Sequence, residues 1–220
     1  MWKPSLWERI WHKLKLKMQP YGAKRRRKRL NNTDFTIISN NCWGGIVYEW
    51  FGLKKLSPTV GTFFFAEDYI KFVKNLREYL EAPLSIIAFE DSDYYESLKK
   101  MNCRRCPVGK IKDIEIFFLH YPDEDIARDK WERRVKRVNY ENLIVKFSYM
   151  NNCTQEHLKE FDATELDAKK VMFVNKPDLG YKCGRYYRGF ENEAQIWNDT
   201  FYFNKYIDII DFINSNKEKH

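Results

Sequence analysis

The sequence predicts an α/β protein, a three-layer α/β/α arrangement around a mostly parallel sheet, preceded by an N-terminal basic amphipathic helix. Three observations predict it. Apolar runs of strand length (35–38, 84–89, 142–147 and 170–175) alternate with longer stretches of helical periodicity. The runs are nearly continuous in apolar character, as strands covered on both faces are. Charge divides the chain: residues 1–34 hold 11 Lys and Arg against 2 Asp and Glu, net +9, and the rest hold 28 against 29, net −1. That split marks a leader, 1–34, and a single α/β domain, 35–220. A chain of 220 residues with 44% hydrophobic content suffices for a sizeable core. Five cysteines, an odd number in a chain too long to need disulfides, point to reduced thiols in the cytosol.

The leader reads as a helix from Trp2 to Met18. Leu6, Trp7, Ile10, Trp11, Leu14 and Met18 recur at spacings of three and four and form one stripe, with Arg9, Lys13 and Lys15 beside or opposite it. Lys24–Arg29 follows as six consecutive cations. Tryptophans on an apolar stripe next to such a run suit a helix lying in a membrane interface, where indoles sit at headgroup depth and cations meet anionic lipid. The expected partner of residues 1–30 is therefore an anionic membrane surface, and no nucleic acid is expected. No apolar run approaches the roughly 20 residues of a spanning helix. The expected location is cytoplasmic, peripheral at the inner face of the membrane.

Phe35–Ile38 should form the first strand, and Ser39, Asn40 and Asn41 should end it. A cysteine-bearing turn and a helix follow, with Gly44 and Gly45 allowing close backbone approach. Such a junction lies at the carboxyl edge of a sheet, where open α/β folds bind ligands, and aims helix N–H groups at them. Cys42 is the candidate nucleophile, since a helix N-terminus lowers a thiol's pKa. Asn40, Asn41, Trp43 and the Gly44 and Gly45 amides are the candidate substrate contacts.

Ser57-Pro58 and Gly61 mark a turn, and residues 60–65 a short strand or core-filling loop. Residues 67–81 read as one helix burying Tyr69, Ile70, Phe72, Val73, Leu76 and Leu80, and 84–89 as an interior strand. After a short helix at 92–100, Cys103-Arg-Arg-Cys106 is half a metal motif without its other half, so neither a metal nor another cofactor is expected. Residues 113–121 form a strand ending on His120, which parallel strands would bring to the Cys42 edge as general acid or base. The helix from Pro122 to Asn139 carries Arg133, Arg134 and Arg137. Guanidinium groups fork onto oxyanions, and Arg134 beside Trp131 should point inward. A strand at 142–147, a helix to Phe161 with Thr154 as N-cap, and the strand 170–175 with Lys176 at its carboxyl end complete the sheet. His157 falls where a capping box wants an acid or amide. Residues 180–189 form a lid or surface loop, and 197–214 a terminal helix.

Ser39-Asn-Asn-Cys-Trp-Gly-Gly45, Leu56-Ser-Pro-Thr-Val-Gly-Thr-Phe-Phe64, His120-Tyr121 and Trp131-Glu-Arg-Arg-Val-Lys-Arg-Val-Asn139 resemble a bacterial family. Its domain has no assigned function, and its members carry the label exopolysaccharide or capsular polysaccharide biosynthesis protein. The likeness runs from about Phe35 to Asn175. It implies a pathway and leaves the reaction open.

The expected function is a transferase, glycosyl or acyl, acting on an activated or lipid-linked glycan at the membrane surface. Cys42 and His120 would be its nucleophile and base, and Arg134 its anion anchor. The alternative is a non-catalytic module binding a glycan or lipid headgroup. The 17% aromatic content fits a sugar site in either case.

Overall fold

Successive side chains of the central strands enter two different cores, and this alternation sorts the protein into layers. In β1 (Thr36–Ser39), β5 (Leu143–Ser148) and β6 (Lys169–Val174), one set of side chains, Ile38, Val145, Phe147, Met172 and Val174, enters one core. The alternate set, Ile37, Ile144, Val171 and Phe173, enters another. This period of two, with both faces apolar, requires helices on each side. The computed structural model describes residues 5–177 and 179–216, so the start assigned to Trp2 lies outside the described residues.

The main sheet has the order β1-β5-β6-β7, all parallel, with β7 at Gly184–Tyr186. On the first face lie α3 (Ala66–Lys74), α4 (Leu76–Glu81), α6 (Glu124–Val135) and α7 (Gln155–Ala163). On the second lie α2 (Trp43–Phe51) and α8 (Ile209–Asn214). The predicted three-layer α/β architecture is the observed one.

Several element boundaries differ from expectation. Residues 84–89 give no interior parallel strand. Only β2 (Ser85–Ile87) forms, half-exposed, at the edge of a separate antiparallel sheet β2-β3-β4, with β3 at Val108–Ile111 and β4 at Ile114–Phe117. A two-residue turn, with Lys112 at φ 51°, joins β3 to β4. Residues 180–189, read as a lid or surface loop, supply edge strand β7. The helix over 67–81 breaks at Asn75, and residues 197–208 are irregular, leaving a six-residue α8. The helix expected to reach Asn139 ends at Val135. At α7 the box is closed by histidine itself: His157 Nδ1 accepts from Thr154 N–H at 3.1 Å, and Thr154 Oγ1 accepts from His157 N–H.

The open edge of β1 is covered by α2. Tyr48 Oη accepts from Ile37 N–H at 3.0 Å and donates to Phe35 O at 2.9 Å, so two edge backbone groups are satisfied by one hydroxyl. Close packing there needs glycine: a Cβ on Gly44 would lie 3.0 Å from Ile37 Cγ2 and 3.1 Å from Ser39 Oγ. Gly52 ends α2 in the left-handed conformation, φ 61°.

Helix α1 spans Leu6–Arg27, capped by a Ser5/Glu8 box, with Pro20 inside it and the basic run at its end. Its C-terminal half is bound to the body. Ala23 is buried against Gly52, the Arg26 guanidinium lies 3.7 Å from the Trp50 ring centroid, and Arg27 donates to Gly52 O. Near its start, Glu8 accepts from Tyr202 Oη. The apolar stripe faces away: Trp7 is 73% exposed, Trp11 70% and Met18 62%.

Candidate functional site

A cleft of about 330 Å³ opens beyond the carboxyl ends of β1 and β5. Cys42, His120, Trp197 and Asp199 all line it. A larger cavity, about 420 Å³, lies at the opposite, amino end of β6; its Lys170 is spent on Asp162 O and Thr164 O. Chemistry-bearing side chains gather at the first.

The floor is built where β1 gives way to α2. Asn40 turns inward and mimics another rung of the ladder, donating to Ser148 O and accepting from Ser148 N–H, both at 3.1 Å. Asn41 stands next to a buried ion pair. Lys146, the one charge in the apolar run of β5, is fully buried and reaches Asp199 Oδ2 at 2.5 Å and Asn41 Oδ1 at 2.9 Å. Asp199 Oδ2 also accepts from Ser148 Oγ at 2.6 Å, and Asn41 Nδ2 donates to both Asp199 oxygens at 2.9 and 2.8 Å. Burial lowers the Lys146 pKa and the Asp199 carboxylate opposes that shift. An enclosed pair of this kind costs desolvation energy that only dense hydrogen bonding offsets, and such groups cluster at functional sites.

Cys42 occupies the N-cap position of α2 and makes one weak contact, Sγ to Thr62 O at 3.9 Å. The expected fall in its pKa does not occur. Burial, then the Asp199 charge, push the thiol up to about 12, outweighing Lys146.

His120 reaches the cleft by a different route from the one the sequence suggests. The strand expected to end on it, β4, stops at Phe117, three residues short, and lies outside the parallel sheet, but Phe117 and Phe63 exchange backbone hydrogen bonds at 2.9 and 3.0 Å. That bridge sets His120 N–H on Gly61 O at 3.2 Å, with the imidazole at the cleft rim and without a hydrogen bond to any described residue. Partial burial, then the Lys55 ammonium, lower its pKa, so the ring is neutral at pH 7.

The remaining candidates lie elsewhere. Trp43 is buried, donating Nε1–H to Phe203 O at 3.1 Å and meeting Phe173 edge-on. Gly44 N–H is occupied by Ser39 Oγ at 3.3 Å, and Gly45 packs on Val60. Arg134 does point inward, but onto Val60 O at 3.1 Å and the Tyr121 hydroxyl, bracing the turn that holds His120. Arg133 pairs with Asp129 on an exposed face. Arg137 lies past the end of α6, and Lys176 is exposed in the turn after β6; neither lines the cleft. The cleft thus gathers Asn41, Cys42 and His120 and leaves the arginines, Lys176 and the glycine amides outside.

Lys146, Ser148, Trp197 and Asp199 are the residues that sequence reasoning missed. Lysine inside Leu-Ile-Val-Lys-Phe was a usable signal, since a charge in a two-face-buried strand needs a partner. Cys103 and Cys106 share a hydrogen bond between their thiols, and no group of three or more His, Cys, Asp or Glu among the described residues is placed to hold a metal.

Two comparisons bear on the chain. The profile of a family described as "Domain of unknown function (DUF1919)" matches residues 14–215. An uncharacterized protein of Haemophilus influenzae is 30% identical over 191 residues, covering 84% of this chain and 85% of that protein.

Proposed function

The chain belongs to the DUF1919 family, and from that premise we propose an enzyme of bacterial exopolysaccharide or capsule assembly, a transferase working on a glycan at the inner surface of the membrane. The pathway comes from the sequence resemblance. The observation that carries the chemistry is the cleft, whose lining brings together a neutral, unpartnered imidazole and a buried carboxylate held by three neighbours. His120 takes the proton from an attacking hydroxyl, and Asp199 fixes the ring that bears it. Cys42 stays a protonated thiol and forms part of the wall. No Lys or Arg lines the cleft among the described residues, so the phosphates of an activated donor lie outside it. The high thiol pKa favours a second reading, a glycan-binding module without catalysis.

Polysaccharide output separates the two. In cells carrying only the variant chain, Cys42→Ala should retain most of the output and His120→Gln should lose it. Full output from His120→Gln would leave the binding module standing.

Helix α1 is the surface contact of this proposal. Among the described residues no helix is long and apolar enough to cross a membrane. The exposed Trp7, Trp11, Leu14, Met18 stripe fits the interface instead. Of the six cations at 24–29, Arg26 is drawn onto Trp50, and the five exposed ones supply about 1 kcal/mol each near an anionic leaflet. The full chain should sediment with phosphatidylglycerol vesicles, less so as salt rises, and the Trp7→Ser/Trp11→Ser variant should stay in solution. Equal sedimentation of both chains would remove the membrane contact. Self-association without lipid binding would assign the stripe to a second copy.

A further inference from the structure

Resting on the reading of the cleft as the substrate site, we propose that its Trp197–Asp199 pole is a subsite for one uncharged sugar ring, with acid sugars refused.

The size sets the first limit. At about 330 Å³ the cleft is at the small end of ligand sites, enough for a monosaccharide unit with its neighbours trailing outside. Trp197, half-exposed and lining it, offers the flat apolar surface that the C–H face of a pyranose covers. Two residues on, Asp199 supplies the polar complement. Its Oδ2 is saturated by Lys146, Ser148 and Asn41, while Oδ1 accepts only from Asn41 Nδ2. A carboxylate oxygen has room for a second donor, and Oδ1 belongs to a residue that lines the cleft though only 1% of its surface is exposed, so a donor must reach down to it. The three donors behind it fix its orientation before any ligand arrives, which reduces the ordering cost of binding. Thr200, also in the lining, adds a hydroxyl with no hydrogen-bond partner among the described residues.

Charge sets the second limit. Lys146 has no exposed surface and Asp199 is only 1% exposed, and the two charges are spent on each other, so no free cation meets the ligand there. Cys42 is a neutral thiol and no cation lines the cleft among the described residues. A uronic acid would have to bring its carboxylate out of water into a cleft where Lys146 is already spent on Asp199 and no other cation lines the wall among the described residues, and such an uncompensated desolvation gives specificity as effectively as an attractive contact. Hydroxyl donors find Oδ1; a carboxylate finds no cation.

Saturation-transfer NMR on the full chain tests this, with methyl glucoside, methyl galactoside, N-acetylglucosamine and glucuronate as probes. At least one neutral sugar should bind, about tenfold or more tighter than glucuronate, and Trp197→Ala and Asp199→Asn should each weaken it by about tenfold. The subsite is refuted if no neutral sugar transfers saturation at millimolar concentration, if glucuronate binds as well, or if a folded variant binds like the wild type. Should Asp199→Asn fail to fold, Trp197→Ala and the neutral-to-acid ratio decide alone. The transferase reading fails separately: intact sugar binding with undiminished polysaccharide output from His120→Gln would end that reading and leave the subsite in place.

Discussion

Replacing Lys146 by methionine, with Asp199 left in place, should cost about 3–5 kcal/mol of stability. The reason is the asymmetry of buried ion pairs. Taking both charges out of water is expensive, and the pair is tolerable because Lys146, Ser148 and Asn41 together surround one carboxylate oxygen. Removing the ammonium leaves the carboxylate enclosed with only neutral donors. In a chain of this length each kcal/mol moves the melting temperature by about 2–4 °C, so the single variant should melt roughly 6–20 °C lower. The double variant Lys146→Met/Asp199→Asn removes both charges, and most of that loss should be recovered, since an apolar or neutral replacement of a whole pair is often close to neutral. Urea melts of wild type, single and double variants at pH 7 measure both steps. A single-variant loss below about 1 kcal/mol would show that the pair is solvated like a surface salt bridge. The comparison also separates folding from binding. Restored stability with absent sugar binding would mean that the charges are kept for the ligand.

That pair marks the boundary of what the sequence discloses. β1, β5 and β6 were legible because each is buried on both faces and so appears as an unbroken apolar run. The β3–β4 hairpin was half hidden: β3 is only Val-Gly-Lys-Ile, and its turn, Lys112-Asp113, lacks the usual Asn-Gly signal. β7 was lost because Gly-Arg-Tyr is an edge segment, exposed on one side and free of the apolar signature. Within the site, Cys42 and His120 were found from their positions at the ends of apolar runs. The environment that decides their chemistry was not, because it comes from far along the chain. Asp199 meets Asn41 across 158 residues, and no local pattern in 197–208 announces it. The helix N-terminus behind Cys42 was a correct local inference that burial, and then a distant carboxylate, overrode. For His120 the local expectation was a parallel strand end, and the bridge between Phe63 and Phe117 achieved the placement through an antiparallel hairpin instead.

His120→Gln should lower turnover by about 100-fold or more, the usual worth of a positioned base. The pH profile tells this role from a structural one. Burial and Lys55 depress the His120 pKa below its ordinary value near 6.5, so the basic, neutral form should persist as pH falls through 6.5 and be lost only at lower pH. The acidic limb of the wild-type rate should therefore lie on the acid side of 6.5. Lys55 is half-buried at the surface and paired with Glu49, so its replacement by glutamine leaves the core alone while removing the cation that disfavours imidazolium. Lys55→Gln should move the limb toward higher pH. The same linkage acts on folding: a histidine whose pKa falls on folding stabilises the native state above 6.5, and that contribution fades as pH drops through the folded value. Rates measured from pH 5 to 8 on wild type, Lys55→Gln and His120→Gln decide the matter. A limb unmoved by Lys55→Gln, or one that survives unchanged in His120→Gln, would place the titrating group elsewhere in the cleft. Proton transfer at the rim would then belong to a different residue from the one the geometry places there.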